Sequence, residues 1–348
     1  MPGDPIFIIG TERSGSNLVR LLLNSHPNVA VPHPPHIVRY FAPLEPAYGD
    51  LSRDDAFARL VDDVLALLDA HIYAWEIPVD RDRIVREARP RDAFGVYVAL
   101  YDQYAEAKGK PRWGCKSTFM VHEIDRIMAR FSGAKLLFLV RDPRDVCVSA
   151  KKSVFSHFHP YYTAQLWRDE QRKGIAALDA LPAENILLVR YEELTTDAEA
   201  QVRRICDFVG EPFDPRMLKF FETDEAKKSA SLSESWANTA KPVKSDSVGQ
   251  FHNSLTAQEI ALVEHVCRAE MARLGYAPVT PAAELDAMKV SPIDSARWWV
   301  AEQAQALRVE ARSVMKDKNV LQRWSRAMLL RRLRMRAAFA TLSHAHAR

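Results

Sequence analysis

Ile6-Phe7-Ile8-Ile9-Gly10-Thr11-Glu12-Arg13-Ser14-Gly15-Ser16-Asn17-Leu18 is the stretch on which the fold turns. Four apolar residues end at a glycine, a loop of small and polar residues follows, and Leu18, Leu21 and Leu22 then recur at helical spacing. That order reads as a buried strand, a tight turn and a helix. Gly10 and Gly15 stand at GxxxxG spacing within the turn. Glycine lets successive backbone N–H groups point inward at an anion, and the helix N-terminus behind them adds its partial positive charge. A Walker loop has Lys and then Ser or Thr after its second glycine, whereas Ser16 and Asn17 stand here and the cation comes earlier, at Arg13. The spacing predicts an anion nest without the usual Mg²⁺ arrangement of an NTPase.

Outward from this loop, Val29-Ala30-Val31 before Pro32 reads as a second short strand, and Lys135 to Val140 and Ile186 to Val189 are continuous apolar runs of the kind that form buried parallel strands. Helical patterns separate them. The fold class expected is α/β, a doubly wound parallel sheet with ligands at the strand C-terminal ends. Phe57, Leu60, Val61, Val64, Leu67 and Leu68 mark an amphipathic helix within residues 43–110, where strand signals are weak, and a mostly helical insertion is expected there. The domain limits expected are 1–280 for the α/β domain and 281–348 for a helical C-terminal extension.

A chain of 348 residues, 47% of them apolar and 27% charged, is ordinary globular composition. Met1 to Asp4 carry no basic residue, and Ile6 to Ile9 is too short for a signal peptide or a membrane span, so a cytoplasmic protein is expected. Four scattered cysteines, Cys115, Cys147, Cys206 and Cys267, suggest neither zinc nor a disulfide framework. The net charge of +3 is unevenly spread: from Ser291 onward 12 Lys+Arg stand against 4 Asp+Glu, a local net of +8. There Arg323, Arg326, Arg331, Arg332, Arg334 and Arg336 interleave with Leu321, Trp324, Met328, Leu329, Leu330 and Leu333. Such a basic amphipathic helix suits an anionic membrane surface, packing on the domain, or a homodimer contact. No nucleic-acid motif accompanies the charge.

After the strand Lys135 to Val140 comes Arg141-Asp142-Pro143-Arg144-Asp145, with Asp142 as N-cap, Pro143 in the first turn and Ser149 two turns on. Arg141 and Ser149 suit one phosphate, although a surface ion pair of Arg141 with Asp145 is the plainer reading. Together with Arg13-Ser14-Gly15-Ser16 and with Lys241-Pro242-Val243 ahead of Ser247-Val248-Gly249, these residues resemble the sulfotransferases that use 3'-phosphoadenosine 5'-phosphosulfate (PAPS). The resemblance runs in order from residue 6 to about residue 276. The Arg-Lys-Gly triplet usual in cytosolic small-molecule members is absent, so the chain sits closer to the bacterial and tyrosylprotein types.

The resemblance implies transfer of a sulfuryl group from PAPS to a hydroxyl acceptor, with adenosine 3',5'-bisphosphate (PAP) as product and no metal. It implies that Arg13, Ser14, Gly15, Ser16 and Asn17 hold the 5'-phosphosulfate, Arg141 and Ser149 the 3'-phosphate, and that Tyr191 lies near the adenosine. Lys244, Ser245 and Ser247 would reach phosphate, Lys116 the sulfate or leaving oxygen, and Ser235 would help stabilise the transition state. The acceptor needs a base just after the second strand. Many relatives carry Glu near position 34, where this chain has Pro34, so His36, then His33, is expected to act, with Glu45 as fallback. Two alternatives stay open: a P-loop nucleotide-dependent kinase, and a non-catalytic nucleotide-binding membrane adaptor. The acceptor class is not legible.

Overall fold

A computed structural model describes residues 3–153, 156–232, 234–316 and 319–346. Its centre is one five-stranded sheet built from β1 (Ile6–Gly10), β2 (Val29–Ala30), β3 (Arg112–Cys115), β4 (Lys135–Val140) and β5 (Ile186–Arg190), in the order β2-β3-β1-β4-β5. Every pairing is parallel, with Gly10 opposite Leu139 and Val140 opposite Arg190. The doubly wound α/β expectation is therefore met. Residues of β1 and β4 alternate between two cores: Phe7, Ile9, Leu136 and Phe138 feed one, while Ile6, Ile8, Leu137 and Leu139 feed the other. Both faces of the sheet are covered. Helices Ala93–Ala107 and Pro160–Ala180 lie on one side, and Ser16–Asn24 and Ala198–Val209 on the other.

The strand β3 corrects the sequence reading, which found no strand there. Arg112 and Gly114 interrupt any apolar run, yet all four residues of β3 are buried, because a strand in the sheet interior can carry a long polar side chain whose end finds partners. The Arg112 guanidinium donates to the Asp4 and Val209 carbonyls. Residues 43–110 are helical as expected, in a 3-10 segment and the helices Asp54–Asp69, Arg81–Glu87 and Ala93–Ala107. Their aromatic residues are structural: Trp75, Tyr97, Tyr101 and Tyr104 are buried, and Tyr97 and Tyr101 pack against Trp113 of β3. All four cysteines are free and buried.

From Ala282 the chain forms three helices, Ala282–Ala287, Pro292–Lys316 and Val320–His346. They fold back on the α/β body. Glu302 accepts the backbone N–H groups of Phe158 and His159, capping the helix Pro160–Ala180. Further on, Gln322 donates to the His71 carbonyl, Arg326 to the Pro35 carbonyl, and Arg336 pairs with Asp63.

Candidate active site

The strand order reverses around β1, which lies between β3 and β4, and the crevice outside the C-terminal ends of β1 and β4 is where such a sheet binds ligands. A cleft of about 1050 Å³ opens there. The loop after β1, the start of the helix after β4, the segment after β2, the end of β3 and part of the C-terminal helix all reach it.

One end of the cleft is formed first by the loop Thr11–Gly15. Arg13 is left-handed, φ 69°, and Gly15 has φ 93°, so the backbone curls before the helix Ser16–Asn24. Gly15 is also required for space, because a Cβ there would collide with the Tyr191 ring. From β4, Arg141 turns back across the crevice: its Nη1 donates to the Arg13 carbonyl at 3.0 Å and its Nη2 to the Ser247 carbonyl at 2.7 Å. Its guanidinium stands 4.4 Å from the centre of the Tyr191 ring, and the Tyr191 hydroxyl pairs with Ser247 Oγ at 2.6 Å. Arg13 Nε donates to Ser149 Oγ at 3.1 Å. Arg13, Arg141, Ser149, Tyr191 and Ser247, far apart in sequence, are thus joined in one network.

That network contains positive charge that Glu12 and Asp145 answer only at a distance. Neither Arg13 nor Arg141 has an ion pair among the described residues, and buried Arg141 Nε, Ser14 Oγ and Asn17 Nδ2 have no hydrogen-bond partner. The plain alternative, Arg141 paired with Asp145, is not what forms. The Asp145 carboxylate instead accepts the backbone N–H groups of Gly249 and Phe251, at 2.7 and 3.0 Å, and so ties down the late loop. Two adjacent guanidiniums and the unpaired donors of Arg141 and Asn17 fit a polyanion.

The opposite end of the cleft lies around His36. His36 is left-handed, φ 59°, its Nδ1 meets Ser117 Oγ at 2.9 Å, and its Nε2 has no hydrogen bond among the described residues. Burial first, then the positive charges of Lys116, Arg326 and Arg39, hold its pKa well below the ordinary histidine value. His33 is different. It is buried among Tyr73, His71 and Trp236, with neither ring nitrogen hydrogen-bonded, and burial keeps it neutral. His71 is brought down to about 4 by burial and by Arg326. Lys116 projects from the end of β3 into the cleft without a hydrogen-bond partner among the described residues, and burial, with Arg20 and Arg13 nearby, lowers it to about 7.

Of the residues singled out in the sequence, Arg13, Gly15, Ser16, Asn17, His33, His36, Lys116, Arg141, Ser149, Tyr191, Lys244 and Ser247 all line the cleft. Three expected residues stand elsewhere. Ser14 is fully buried and outside the cleft lining, and the Ser245 carbonyl accepts from Val248 N–H, with Ser245 also outside the lining. Glu45 caps the helix Ala93–Ala107 through Ala93 N–H and pairs with Arg126, which leaves no role for it as a base. The Ser235 side chain lies outside the described residues, although its neighbours Trp236, Asn238 and Thr239 line the cleft.

Several groups in the cleft or directly beneath it escaped the sequence reading. Arg20, fully buried, donates to Asn17 Oδ1 at 2.8 Å, to Glu225 Oε1 at 2.6 Å and to Ser229 Oγ at 2.9 Å, fixing the first helix turn under the loop. Ser117, Arg39, His71 and Arg326 surround His36. Position along the first helix hints at Arg20, one turn beyond Ser16, but nothing in the sequence ties Arg326 to His36.

Comparison with known proteins agrees with this geometry. A model described as "Sulfotransferase family" matches residues 5–215. Protein-tyrosine sulfotransferase A of Caenorhabditis elegans is 24% identical over 291 residues, which cover 78% of this chain and 67% of that protein. Sulfotransferase 2A1 of Rattus norvegicus is 27% identical over 170 residues, 42% of this chain and 59% of that protein, so the chain spans about three fifths to two thirds of these relatives. Among solved structures, the sulfotransferase domain of the Synechococcus PCC 7002 olefin synthase shares the fold, with a TM-score of 0.50 and 22% identity over 75% of this chain and 94% of that one.

Proposed function

The chain belongs to the sulfotransferase family, and on that premise we propose that it transfers the sulfuryl group of PAPS to a hydroxyl acceptor and releases PAP. The family sets aside the kinase and non-catalytic adaptor alternatives. The observation that carries the donor assignment is the pair of guanidiniums, Arg13 and Arg141, that share one cleft with Lys116 and form no direct ion pair among the described residues, so that three cations face the two cleft carboxylates Glu12 and Asp145. A bisphosphorylated nucleotide supplies that missing charge.

When bound, the donor offers an activated sulfuryl group, whose bond to the 5'-phosphate oxygen breaks as the acceptor oxygen bonds to sulfur. Arg13, Ser16, Asn17 and the loop N–H groups hold the 5' end, and Arg141 with Ser149 the 3'-phosphate. Tyr191, fixed by Ser247, flanks the adenosine. Lys116, in its protonated form, neutralises the charge that grows on the leaving oxygen. His36 receives the acceptor proton at Nε2: in the tautomer whose Nδ1–H donates to Ser117 Oγ the Nε2 lone pair is free, and the low pKa keeps the ring neutral at pH 7. His33, enclosed by His71, Tyr73 and Trp236, is not assigned the base.

The test is calorimetric titration of the protein with PAP, then incubation of sulfur-labelled PAPS with a panel of phenols, alcohols, glycans and peptides containing tyrosine. Tight PAP binding and label transfer to at least one hydroxyl are expected. Absence of PAP binding at millimolar concentration would defeat the proposal.

A further inference from the structure

Among the described residues, ten of the twelve exposed large apolar side chains lie between Ile293 and Phe339, on the two terminal helices. A surface that concentrates its apolar exposure so strongly has an occupant. On the last helix, Val320–His346, one face packs inward: Leu333 is buried, Leu329 and Leu330 lie against the main core, and Arg326 and Arg336 reach Pro35 and Asp63. Leu321, Trp324, Met328 and Met335 follow at steps of three, four and seven residues, which puts them on a second stripe, turned away from that packing. They are 41 to 74% exposed.

Arg331 and Arg332, three and four residues beyond Met328, border this stripe on either side, and Arg334 adds a third exposed cation. None of the three has an ion pair among the described residues, and residues 320–346 contain no Asp or Glu. Two surfaces could cover an apolar stripe edged with arginine: an anionic bilayer or a second copy of the chain. In a two-fold dimer the same patch faces itself, so the arginine charge of one copy would meet that of the other with no carboxylate from residues 320–346 to offset it. A bilayer surface opposes them with lipid phosphate.

We propose that the outer stripe of the helix Val320–His346 docks the protein on an anionic membrane surface, with Leu321, Trp324, Met328 and Met335 entering the headgroup boundary and Arg331, Arg332 and Arg334 meeting lipid phosphates. The contact is interfacial, since no helix among the described residues is long and apolar enough to cross a membrane. Arg326, on the inner face of the same helix, lines the cleft. Docking therefore brings the acceptor end to within roughly one helix diameter, about 10–12 Å, of the lipid.

Co-sedimentation of the full chain with phosphatidylcholine vesicles, with and without phosphatidylglycerol, tests this directly. Binding to the phosphatidylglycerol vesicles should be at least about tenfold tighter and should weaken with added NaCl. Leu321→Glu with Met328→Glu should abolish most of it, and replacing Arg331, Arg332 and Arg334 by Gln should cost roughly fivefold per residue. Far-UV circular dichroism of each variant, matched to the parent, separates loss of docking from loss of folding. No sedimentation, or sedimentation indifferent to lipid charge and to the arginine variant, overturns the proposal. So does a dimer in sedimentation equilibrium that Met328→Glu dissolves, because the second copy would then be the occupant.

Discussion

The two ends of the cleft are built by different means. The donor end hangs from two neighbouring strands: the loop Thr11–Gly15 follows β1, and Arg141 and Ser149 follow β4, so parallel pairing of Gly10 with Leu139 already brings them together. The acceptor end is gathered from His36, His71, Ser117, Trp236 and Arg326, five points of the chain with no common element. A phosphate site can be made from backbone N–H groups and a few guanidiniums, which any strand-to-helix junction supplies. A base must be desolvated, oriented and kept neutral, and that takes neighbours from several elements.

If the ends act separately, variants should split binding from turnover. The largest effect is expected for His36→Ala, a loss of kcat of about 10²- to 10⁴-fold with PAP affinity unchanged by calorimetry. A parallel loss of PAP affinity would show that the ends are not separable. At the donor end, Gly15→Ala has to place a side chain at φ 93° and against the Tyr191 ring, so PAP affinity should fall roughly tenfold or more, by about 1–2 kcal/mol of backbone cost and the added collision.

A smaller, pH-dependent effect lies where the ends meet. Burial lowers Lys116 to about 7, so its ammonium is mostly present below that pH and is lost above it. PAP affinity should therefore decrease as pH rises through 7, and Lys116→Arg, which stays charged, should flatten the profile. An unchanged slope in the arginine variant would detach Lys116 from the nucleotide. The least effect is expected from Arg326→Met. Removing a cation that depresses His36 raises the pKa of that histidine, so the acid limb of kcat/KM should move to higher pH while the donor end is untouched.

Much of the donor end was legible because its information is contiguous. Arg13 and the two glycines fall within eight residues, and Asp142 and Pro143 announce the second helix start with side chains that act locally: Asp142 does accept from Arg144 N–H. Ser14 shows the limit of such reading, since membership in the loop did not reveal that its hydroxyl is buried without a hydrogen-bond partner among the described residues. The base was narrowed to two histidines three residues apart and no further. His33 and His36 are alike in the sequence, and only their packing separates a ring enclosed by Tyr73 and Trp236 from one anchored on Ser117.

The same boundary runs through the C-terminal helix. Its arginines and leucines were visible as a pattern, but the pattern contains two apolar stripes superimposed on one helical period, and sequence alone does not tell which of them the core has taken. Local rules, strand runs, glycine spacing and N-caps determined that this chain makes a parallel α/β sheet with an anion cradle at the end of its first strand. Only the tertiary structure decided that β3 is a strand at all, that His36 stands beside Lys116, and that Arg326 arrives from 290 residues away in sequence to face it. Those outcomes depend on burial and on long-range contact, which the order of residues encodes but does not display.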